Sequence, residues 1–431
     1  MKRAVVQGPR RFRGSITVPG DKSITHRAVM LAGAARGESE IRHPLTGLDC
    51  RSTAAAVEAL GARVKMKPKS WRVTGVGPHP FTEPMDILDC GNSGTSIRLL
   101  AGLVAGHPVT ATFTGDESIR RRPMARVLGP LAEMGARIVG RKNDTLAPFT
   151  LRGGSLTGKA HTLTVASAQV KSAILLAGLG ASGVTSVSEP HPSRDHTERM
   201  LLHFGAAITA SPGRASVKGG AMLEARDVVV PGDLSSAAFF LVGALGAAGS
   251  ELTLENVGVN ATRAGLLDAL DRMGARVKRE GAQELSGEPV ATLVVKGGAT
   301  LRGTTVAGEE IPRLVDEVPI LALAAAMAEG TTVISGASEL RVKESDRIAA
   351  MAKLLAAFGA RAEESPEGLA IHGGGALTPA TISSGGDHRI AMTAAIAGCW
   401  AKGETVIDDV ACVETSFPGF FQELERVTEP A

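Results

Sequence analysis

The sequence has no tyrosine and few aromatic residues of any kind, with 11 Phe and 2 Trp among 431 residues. Base-stacking platforms and the aromatic belts of membrane proteins both depend on such rings. The charges nearly balance, since 47 Lys and Arg stand against 44 Asp and Glu. This balance argues against a nucleic-acid protein held by bulk electrostatics, although it is compatible with a local basic pocket. We therefore expect neither a nucleic acid nor a membrane as partner.

Cysteine and long apolar runs are scarce as well. Cys50, Cys90, Cys399 and Cys412 show no CxxC spacing and are too few to form a disulfide framework, which favours a reducing, cytoplasmic setting. The uncharged stretches 99–115, 172–188 and 234–250 are interrupted by Gly, Ser or His, and each is shorter than a membrane span of about 20 apolar residues. The N-terminal residues lack the apolar segment of a targeting signal, so we predict a cytoplasmic protein.

One plan recurs six times: a small-residue start, an alanine-rich helical stretch, a glycine and a β-rich run. These glycines are Gly37, Gly106, Gly183, Gly249, Gly330 and Gly403. Five amphipathic stretches also end at a glycine that leads into a strand, namely Gly61, Gly135, Gly205, Gly274 and Gly359. Each repeat therefore predicts a strand, helix, strand, helix, strand arrangement. The alternative is that the recurring sequences are only the turn chemistry of any α/β protein.

The tripeptide Pro-Gly-Asp divides the repeats three and three, because it occurs at residues 19–21 and again at 231–233. We predict a first lobe over residues 20–231 and a second lobe over residues 1–19 together with 232–431. Length is consistent with this, since 431 residues predict two or three domains. The predicted fold class is α/β with α+β character, built from two similar lobes of three repeats each.

Polar and charged side chains cluster where the predicted helices begin, and a helix N-terminus offers free N–H groups to anions. Lys22, Ser23 and Arg27 follow the first Gly-Asp turn, and Gly94 lies in a glycine-flanked turn into the second helix. The other clusters are Arg120–Arg122, Ser167 with Gln169, residues 188–196, Arg341–Arg347 and Gly386–Arg389. We predict that Arg120–Arg122 precede a helix with Pro123 in its first turn. Each could be a solvated, capped helix start. Their recurrence at one structural position instead predicts a shared anion-binding cleft.

Several motifs together resemble one known family. PGDKSITHR, GNSGTSIRLL, RRRPM, SAQVKSA, RVKESDR and GDHRIAM occur in the order found in the 5-enolpyruvylshikimate-3-phosphate synthases, from Val18 to Pro418. The resemblance implies two lobes, each of three βαβαββ repeats, in the inside-out α/β barrel of the enolpyruvyl transferases. It also implies a cytoplasmic enzyme of aromatic amino-acid biosynthesis that needs neither a metal nor another cofactor.

The implied reaction joins phosphoenolpyruvate to the 5-hydroxyl of shikimate 3-phosphate and releases phosphate. Both substrates are polyanions, which Lys and Arg bind well. The resemblance assigns phosphoenolpyruvate to Lys22, Gly94, Arg122, Gln169, Arg347 and Arg389. It assigns shikimate 3-phosphate to Ser23, Arg27, Ser167, Gln169, Arg194, Asp316 and Lys343.

The resemblance also implies that Asp316 lies near the reacting hydroxyl and that Glu344 transfers a proton at the methylene carbon. With Lys22 they are the predicted catalytic residues. Two structural roles compete with this interpretation. Asp316 could be a helix cap, and Glu344 could form an ion pair with Lys343 or Arg347.

The chain departs from the family pattern at several positions. Thr415 stands where many members have a lysine, and Ala168 replaces a hydroxyl residue. Because the chain has no tyrosine, His191 or Arg194 is the candidate for the contact with the shikimate ring. Gly94 favours sensitivity to the inhibitor glyphosate, but Leu99 stands where many sensitive members have proline, so the sequence leaves inhibition open.

Two other functions fit parts of the sequence. The related transferase that acts on UDP-N-acetylglucosamine usually has a cysteine in the loop before its arginine, and residues 116–123 contain none. It also has an asparagine where Ser23 follows Lys22. A non-catalytic phosphosugar-binding module would not require both Asp316 and Glu344. We expect a monomer that acts on two small molecules.

Overall fold

The computed structural model describes residues 2–431, which divide into two compact units. The first unit contains Gly20–Val230 and the short segment Glu284–Glu288. The second unit contains the residues through Pro19 together with Pro231–Gln283 and Pro289–Ala431. No helix within residues 2–431 is both long and apolar enough to cross a bilayer.

The chain begins with two strands of the second unit, β1 (Arg3–Gly8) and β2 (Arg10–Ile16), and then enters the first unit. The helices of the first unit are α1 (Lys22–Ala34), α2 (Leu48–Ala59), α3 (Gly94–Ala105), α4 (Ala125–Met134), the single turn α5 (Arg141–Asp144), α6 (Ala168–Gly178) and α7 (His196–His203). Its strands are β3 (Glu38–Arg42), β4 (Arg63–Met66), β5 (Ser70–Thr74), β6 (Leu88–Asp89), β7 (Thr110–Thr114), β8 (Arg137–Gly140), β9 (Leu146–Arg152), β10 (Ala160–Thr162), β11 (Val184–Ser188), β12 (Ile208–Ser211), β13 (Arg214–Lys218) and β14 (Val228–Val229).

The strands of the first unit form four-stranded sheets in the orders β14-β3-β5-β4, β6-β7-β9-β8 and β10-β11-β13-β12. In each sheet the first pair is parallel and the remaining pairs are antiparallel. Two of the sheets come from consecutive chain segments that follow the βαβαββ plan, and β14 returns to complete the sheet of β3. The repeat read from the sequence is therefore present as a structural unit.

The second unit continues with the helices α8 (Leu234–Gly246), α9 (Gly265–Arg272), α10 (Ile311–Leu314), α11 (Val318–Met327), α12 (Arg347–Ala357), α13 (His388–Trp400) and α14 (Phe420–Arg426). Its further strands are β15 (Glu251–Gly258), β16 (Val277–Leu285), β17 (Glu288–Lys296), β18 (Thr305–Val306), β19 (Thr331–Ile334), β20 (Arg361–Ser365), β21 (Gly368–His372), β22 (Thr381–Ser383), β23 (Gly403–Asp408) and β24 (Thr428–Pro430).

The sheets of the second unit join the beginning of the chain to its end. They have the orders β16-β17-β15-β2-β24, β18-β19-β21-β20 and β1-β23-β22, and each contains one parallel pair. The hairpin of β16 and β17 is unusual because its tip, residues 284–288, groups with the first unit. There, Glu288 Oε1 lies 2.7 Å from Nδ1 of His196.

Six alanine-rich helices make up the centres of the two units: α1, α3 and α6 in the first, and α8, α11 and α13 in the second. In α8 every residue from Leu234 to Leu245 is buried. Helices that are apolar all round are stable only when surrounded, so they pack together and against the sheets of their own unit. α3 and α6 approach so closely that a Cβ on Gly102 would lie 2.2 Å from the carbonyl oxygen of Ala173. The six predicted helices are confirmed.

The predicted helix-ending glycines are also confirmed. Gly61, Gly135, Gly205, Gly274 and Gly359 all have positive φ, between 81° and 119°. Glycine adopts this backbone conformation without the steric cost that a Cβ brings. These residues therefore end the second helix of a repeat and turn the chain into the next strand.

Candidate active site

α1 begins with two of the predicted site residues. The Asp21 carboxylate accepts the N–H of Ile24 at 2.9 Å and caps the helix, which makes Lys22 its first residue. Lys22 Nζ lies 3.1 Å from Oδ2 of Asp49, in the first turn of α2, and both side chains are mostly buried. A cation is thus held beside a helix N-terminus, where both attract anions.

Arg27 lies one turn further along α1 and is almost fully buried. Its Nη1 donates to the carbonyl of Ser23 at 2.9 Å, its Nε to Thr197 Oγ1 at 2.6 Å and its Nη2 to Ser172 Oγ at 2.8 Å. Burial lowers the pKa of Arg27 to about 10, although the charges of Glu198 and Asp21 raise it, and the charge of Arg194 lowers it slightly. Arg27 stays cationic at neutral pH and is fixed by hydroxyl groups on α6 and α7.

Gly94 begins α3 and lies under two guanidinium groups. A Cβ built on it would be 2.7 Å from Arg98 Nη1 and 2.9 Å from Arg122 Nη1. Arg98 Nη1 also donates to the Gly94 carbonyl at 3.2 Å and to Gln169 Oε1 at 2.9 Å. The absent side chain therefore lets two cations approach the start of α3 closely.

Gln169 and Ser167 belong to the start of α6. Gln169 Nε2 donates to Thr95 Oγ1 at 3.0 Å, so this amide joins the N-termini of α3 and α6. Ser167 is the N-cap of α6 and accepts the N–H of Val170 at 3.5 Å. The predicted residues of the first unit therefore surround three neighbouring helix starts.

A chain of buried hydrogen bonds connects α1, α2 and the start of α3. His26 Nδ1 lies 2.7 Å from Thr53 Oγ1, which lies 2.6 Å from Ser96 Oγ, and Ser96 Oγ donates to Ser93 Oγ at 2.7 Å. Burial lowers the pKa of His26 well below its usual range, and the charges of Lys22 and Arg27 lower it further. The imidazole is therefore neutral and contributes hydrogen bonding without adding charge.

Of the three consecutive arginines, only Arg122 turns inward. Arg120 and Arg121 are exposed, and Arg121 pairs with Glu117 at 2.9 Å. The prediction that Pro123 lies in the first turn of the following helix is wrong, because α4 begins at Ala125 after Met124. Arg122, which precedes Pro123, is extended, and the Met124 N–H donates to the Thr145 carbonyl at 2.8 Å before the helix begins.

In the second unit, the buried Arg347 gathers three carboxylates. Its Nε donates to Asp387 Oδ2 at 2.9 Å, its Nη2 to Glu344 Oε2 at 2.6 Å, and its Nη1 lies 3.4 Å from Asp316 Oδ1. Burial alone would lower the pKa of Arg347, but the three carboxylates raise it above its ordinary value. The guanidinium is permanently charged and fixes both predicted catalytic carboxylates.

Asp316 lies between two arginines, since its Oδ2 is 3.8 Å from Arg389 Nη2. The helix-cap alternative is not observed, because the N-cap of α11 is Glu317 and makes no side-chain cap bond. The ion-pair alternative for Glu344 is observed with Arg347 and is compatible with proton transfer. Part of each predicted catalytic carboxylate side chain remains exposed, at 16% for Glu344 and 20% for Asp316.

Of the other predicted residues, Lys343 belongs to the second unit and Arg194 to the first. Lys343 is partly buried, 4.0 Å from Glu339, and burial lowers its pKa. Arg194 is in the loop between β11 and α7, where its charge acts on Arg27. Thr415 supplies no cation, and its hydroxyl donates to the Cys412 carbonyl at 2.6 Å.

Sequence reasoning gave no role to several residues that contact the predicted site, although Asp387 lies in the predicted cluster Gly386–Arg389. Asp387 is fully buried and caps α13 while accepting from Arg347 and Ser345. Asp49 pairs with Lys22 across 27 residues of chain. Lys171 was visible as a lone charge in an otherwise apolar helix, a signal that could have marked it. Asp49 and Asp387 carry no local sequence signal for their pairing, because the residues that they contact are distant in the chain.

The arrangement is suited to binding anions and transferring protons. The first unit places Lys22, Arg27, Arg98 and Arg122 around helix starts, whereas the second unit places two carboxylates against Arg347 and Arg389. Residues 2–431 contain no group of three or more His, Cys, Asp or Glu side chains placed to hold a metal ion.

Comparison with known proteins gives a consistent family. Residues 6–424 match the family model described as EPSP synthase (3-phosphoshikimate 1-carboxyvinyltransferase). Proteins named 3-phosphoshikimate 1-carboxyvinyltransferase match from Pelotomaculum thermopropionicum, at 53% identity over 97% of both chains, and from Geobacter metallireducens, at 50% over 99% of both. An EPSP synthase structure from Acinetobacter baumannii has a TM-score of 0.88 at 41% identity and covers 99% of both chains. The enolpyruvyl transferase NikO from Streptomyces tendae, at 20% identity and a TM-score of 0.78, covers 99% of this chain and 98% of its own and shares the fold.

Proposed function

The chain belongs to the EPSP synthase family, and from this premise we propose how its residues divide the work of the family's reaction. The chain is a transferase of the shikimate pathway, which supplies aromatic amino acids. It moves the enolpyruvyl group of phosphoenolpyruvate to the 5-hydroxyl of shikimate 3-phosphate and releases phosphate. We propose that its two units correspond to the lobes 20–231 and 1–19 with 232–431.

The first unit supplies most of the anion-binding groups in this proposal. Lys22, Gly94, Arg122 and Gln169 bind phosphoenolpyruvate, and the close approach of two guanidiniums to Gly94 supports this assignment. Ser23, Arg27, Ser167, Gln169 and Arg194 bind shikimate 3-phosphate. Charge-assisted hydrogen bonds from fixed cations are stronger than neutral ones and suit two polyanionic substrates.

The second unit supplies the acid–base groups together with Arg347, Arg389 and Lys343. Asp316 accepts the proton of the 5-hydroxyl as its oxygen bonds to the central carbon of phosphoenolpyruvate. Glu344 delivers a proton to the methylene carbon and later removes one as the C–O bond to phosphate breaks. Lys22 is the third proposed catalytic residue. The observation that carries this proposal is the pairing of the two carboxylates with arginines. Arg347 contacts both Asp316 and Glu344, and Arg389 contacts Asp316, so both carboxylates have fixed positions.

The test is phosphate release from phosphoenolpyruvate, measured in parallel with shikimate 3-phosphate and with UDP-N-acetylglucosamine as acceptor. We expect release only with shikimate 3-phosphate. Release with UDP-N-acetylglucosamine would move the chain to the related transferases. Calorimetric binding of shikimate 3-phosphate without any release would mean that the residues form a binding module rather than an enzyme.

Replacing Gly94 by alanine tests the phosphoenolpyruvate assignment. The new methyl group would force the ends of Arg98 and Arg122 to move, which long side chains can do at little cost in stability. We expect KM for phosphoenolpyruvate to rise about tenfold or more, since a charge-assisted hydrogen bond contributes about 1.5–3 kcal/mol. KM for shikimate 3-phosphate should change less than twofold.

Gly129→Ala is the matched control. Gly129 lies inside α4, and a Cβ there meets nothing within 4 Å. We expect unchanged kinetics, and no gain in unfolding free energy, because Pro130 follows directly and disfavours the helical conformation once residue 129 carries a Cβ. An unchanged KM for phosphoenolpyruvate in Gly94→Ala would show that Gly94 does not contribute to binding this substrate.

A further inference from the structure

A lysine is buried inside the first unit, where the reaction as described does not use it. Lys171 lies on α6 with only 3% of its side chain exposed, and its neighbours along the helix are mostly Ala, Ile and Leu. Its Nζ lies 2.8 Å from Glu189 Oε1 and 2.8 Å from Glu198 Oε1, and it donates to the Ser193 carbonyl at 3.2 Å. The three donors of the ammonium group therefore each have an oxygen partner.

These partners come from different parts of the chain. Glu189 directly follows β11, Ser193 lies in the loop after it, and Glu198 is in the first turn of α7. Lys171 thus joins α6 to the loop and to α7. A buried charge with fixed partners holds such elements in one geometry, because a loose arrangement would leave a charge unpaired in an apolar interior.

Glu189 continues the contacts toward the substrate-binding residues. Its carboxylate accepts the Ser193 hydroxyl at 2.7 and 2.8 Å, the Ser193 N–H at 3.0 Å and the Ser167 N–H at 3.3 Å. Ser167 is the cap of α6, and Arg194 directly follows Ser193. One carboxylate therefore holds the backbone of two residues beside which shikimate 3-phosphate is proposed to bind.

Arg27 is tied to the same network from another side. Its two hydroxyl partners, Ser172 and Thr197, are the chain neighbours of Lys171 and Glu198, and they lie 2.6 Å from each other. Displacement of α7 from α6 would therefore also displace the Arg27 guanidinium.

We propose that the ion triad of Lys171, Glu189 and Glu198 is a positioning device for shikimate 3-phosphate: it aligns Ser167, Arg194 and Arg27 without touching the substrate. This inference rests on the proposed assignment of those three residues to shikimate 3-phosphate. The hydrogen bonds of the triad lead to residues assigned to shikimate 3-phosphate, so phosphoenolpyruvate binding should depend on the triad less than shikimate 3-phosphate binding does.

The decisive variant is Lys171→Met with Glu198→Gln. It removes the ammonium group and one carboxylate together, so the net charge of the triad stays at −1. Glu189 loses its ammonium partner but keeps the hydrogen bonds from Ser193 and Ser167. We expect KM for shikimate 3-phosphate, and its calorimetric Kd measured without phosphoenolpyruvate, to rise at least tenfold. KM for phosphoenolpyruvate should stay within twofold.

Leu201→Ala separates positioning from simple loss of stability. Leu201 is a fully buried residue of α7, so truncating it weakens the same helix but leaves the triad intact. We expect a lower thermal midpoint with both KM values unchanged. Ser193→Ala is a milder probe that should fold readily, and it should raise only the shikimate 3-phosphate KM, by about threefold or more.

The inference is overturned if both the double variant and Ser193→Ala keep the shikimate 3-phosphate Kd within twofold of the wild type, or if both substrates lose affinity equally. If the double variant does not fold, Ser193→Ala decides alone. The binding measurement needs no turnover. An inactive wild type would overturn the proposed function, while the ratio of Kd values would still decide the inference.

Discussion

Glu344→Gln is expected to lower kcat by about 10²- to 10⁴-fold, which is the usual contribution of a positioned general acid or base. The amide has the shape of the carboxylate and can still accept a hydrogen bond from Arg347, whose Nη2 lies 2.6 Å from Glu344 Oε2 in the wild type. It cannot deliver or remove a proton. Binding of both substrates should therefore stay within a few fold while turnover falls.

Glu364→Gln controls for the loss of a carboxylate next to an arginine in the same unit. Glu364 Oε1 lies 2.9 Å from Arg341 Nη2 on an open part of the surface. We expect its kcat to equal that of the wild type. A Glu344→Gln enzyme with kcat within tenfold of the wild type would show that Glu344 serves only as the ion-pair partner of Arg347.

Arg347→Met is expected to remove about 3–5 kcal/mol of the unfolding free energy at pH 7 and to abolish measurable turnover. The stability effect follows from Asp387, which is fully buried and loses its guanidinium partner in the variant. The loss of turnover follows from the proposed phosphoenolpyruvate contact and from the release of Asp316 and Glu344. Urea unfolding at several pH values measures the first effect and phosphate release the second.

The contribution of Asp387 to the unfolding free energy should depend on pH in opposite directions in the wild type and in Arg347→Met. In the wild type, burial alone would raise the pKa of Asp387, but Arg347 holds it below its ordinary value. Its contribution is therefore complete above the unfolded pKa of about 3.9 and is lost as the pH falls through the folded pKa. In Arg347→Met, burial, which is the largest influence, and the charge of Glu344 raise the pKa of Asp387, while His388 lowers it. The penalty should then be largest at pH 7 and shrink toward pH 4.

Two further variants isolate the buried pair. Arg347→Met combined with Asp387→Asn removes both charges, so we expect most of the lost stability to return without activity. Arg341→Met removes an arginine that pairs with Asp346 at 2.7 Å near the surface, and should cost much less unfolding free energy than Arg347→Met. If Arg347→Met loses no more stability than Arg341→Met, the buried cluster is not a stabilising feature.

The sequence was most informative where structure is decided locally. Asp21, Asp233 and Asp387 each accept a backbone N–H in the first turn of the following helix, a pattern that short-range chemistry sets. The six alanine-rich helices could be found because residues apolar on all faces need burial. The repeat follows from the same local signals taken in order.

Contacts between residues that are distant in the chain could not be predicted from the sequence. Arg27 meets Thr197 across 170 residues of chain, and no pattern near either residue announces the pair. Lys171 could be recognised as an odd charge, but its carboxylate partners depend on how α7 packs on α6. Pro123 shows the limit even for local signals, because it lies before the N-cap of α4, Met124, and not in the first turn of the helix.

The strand pairings of the second unit have a mechanical consequence. β1 pairs with β23 and β2 with β24, so backbone hydrogen bonds join the first two strands of the chain to the last two. The residues that flank the 20–230 segment also meet, since the Asp233 N–H donates to the Pro19 carbonyl at 2.9 Å. A force that pulls the two chain ends apart is carried first by these ladders. Along the chain, the 20–230 segment is a closed loop that bears tension only after the ladders and the Pro19–Asp233 contact have parted.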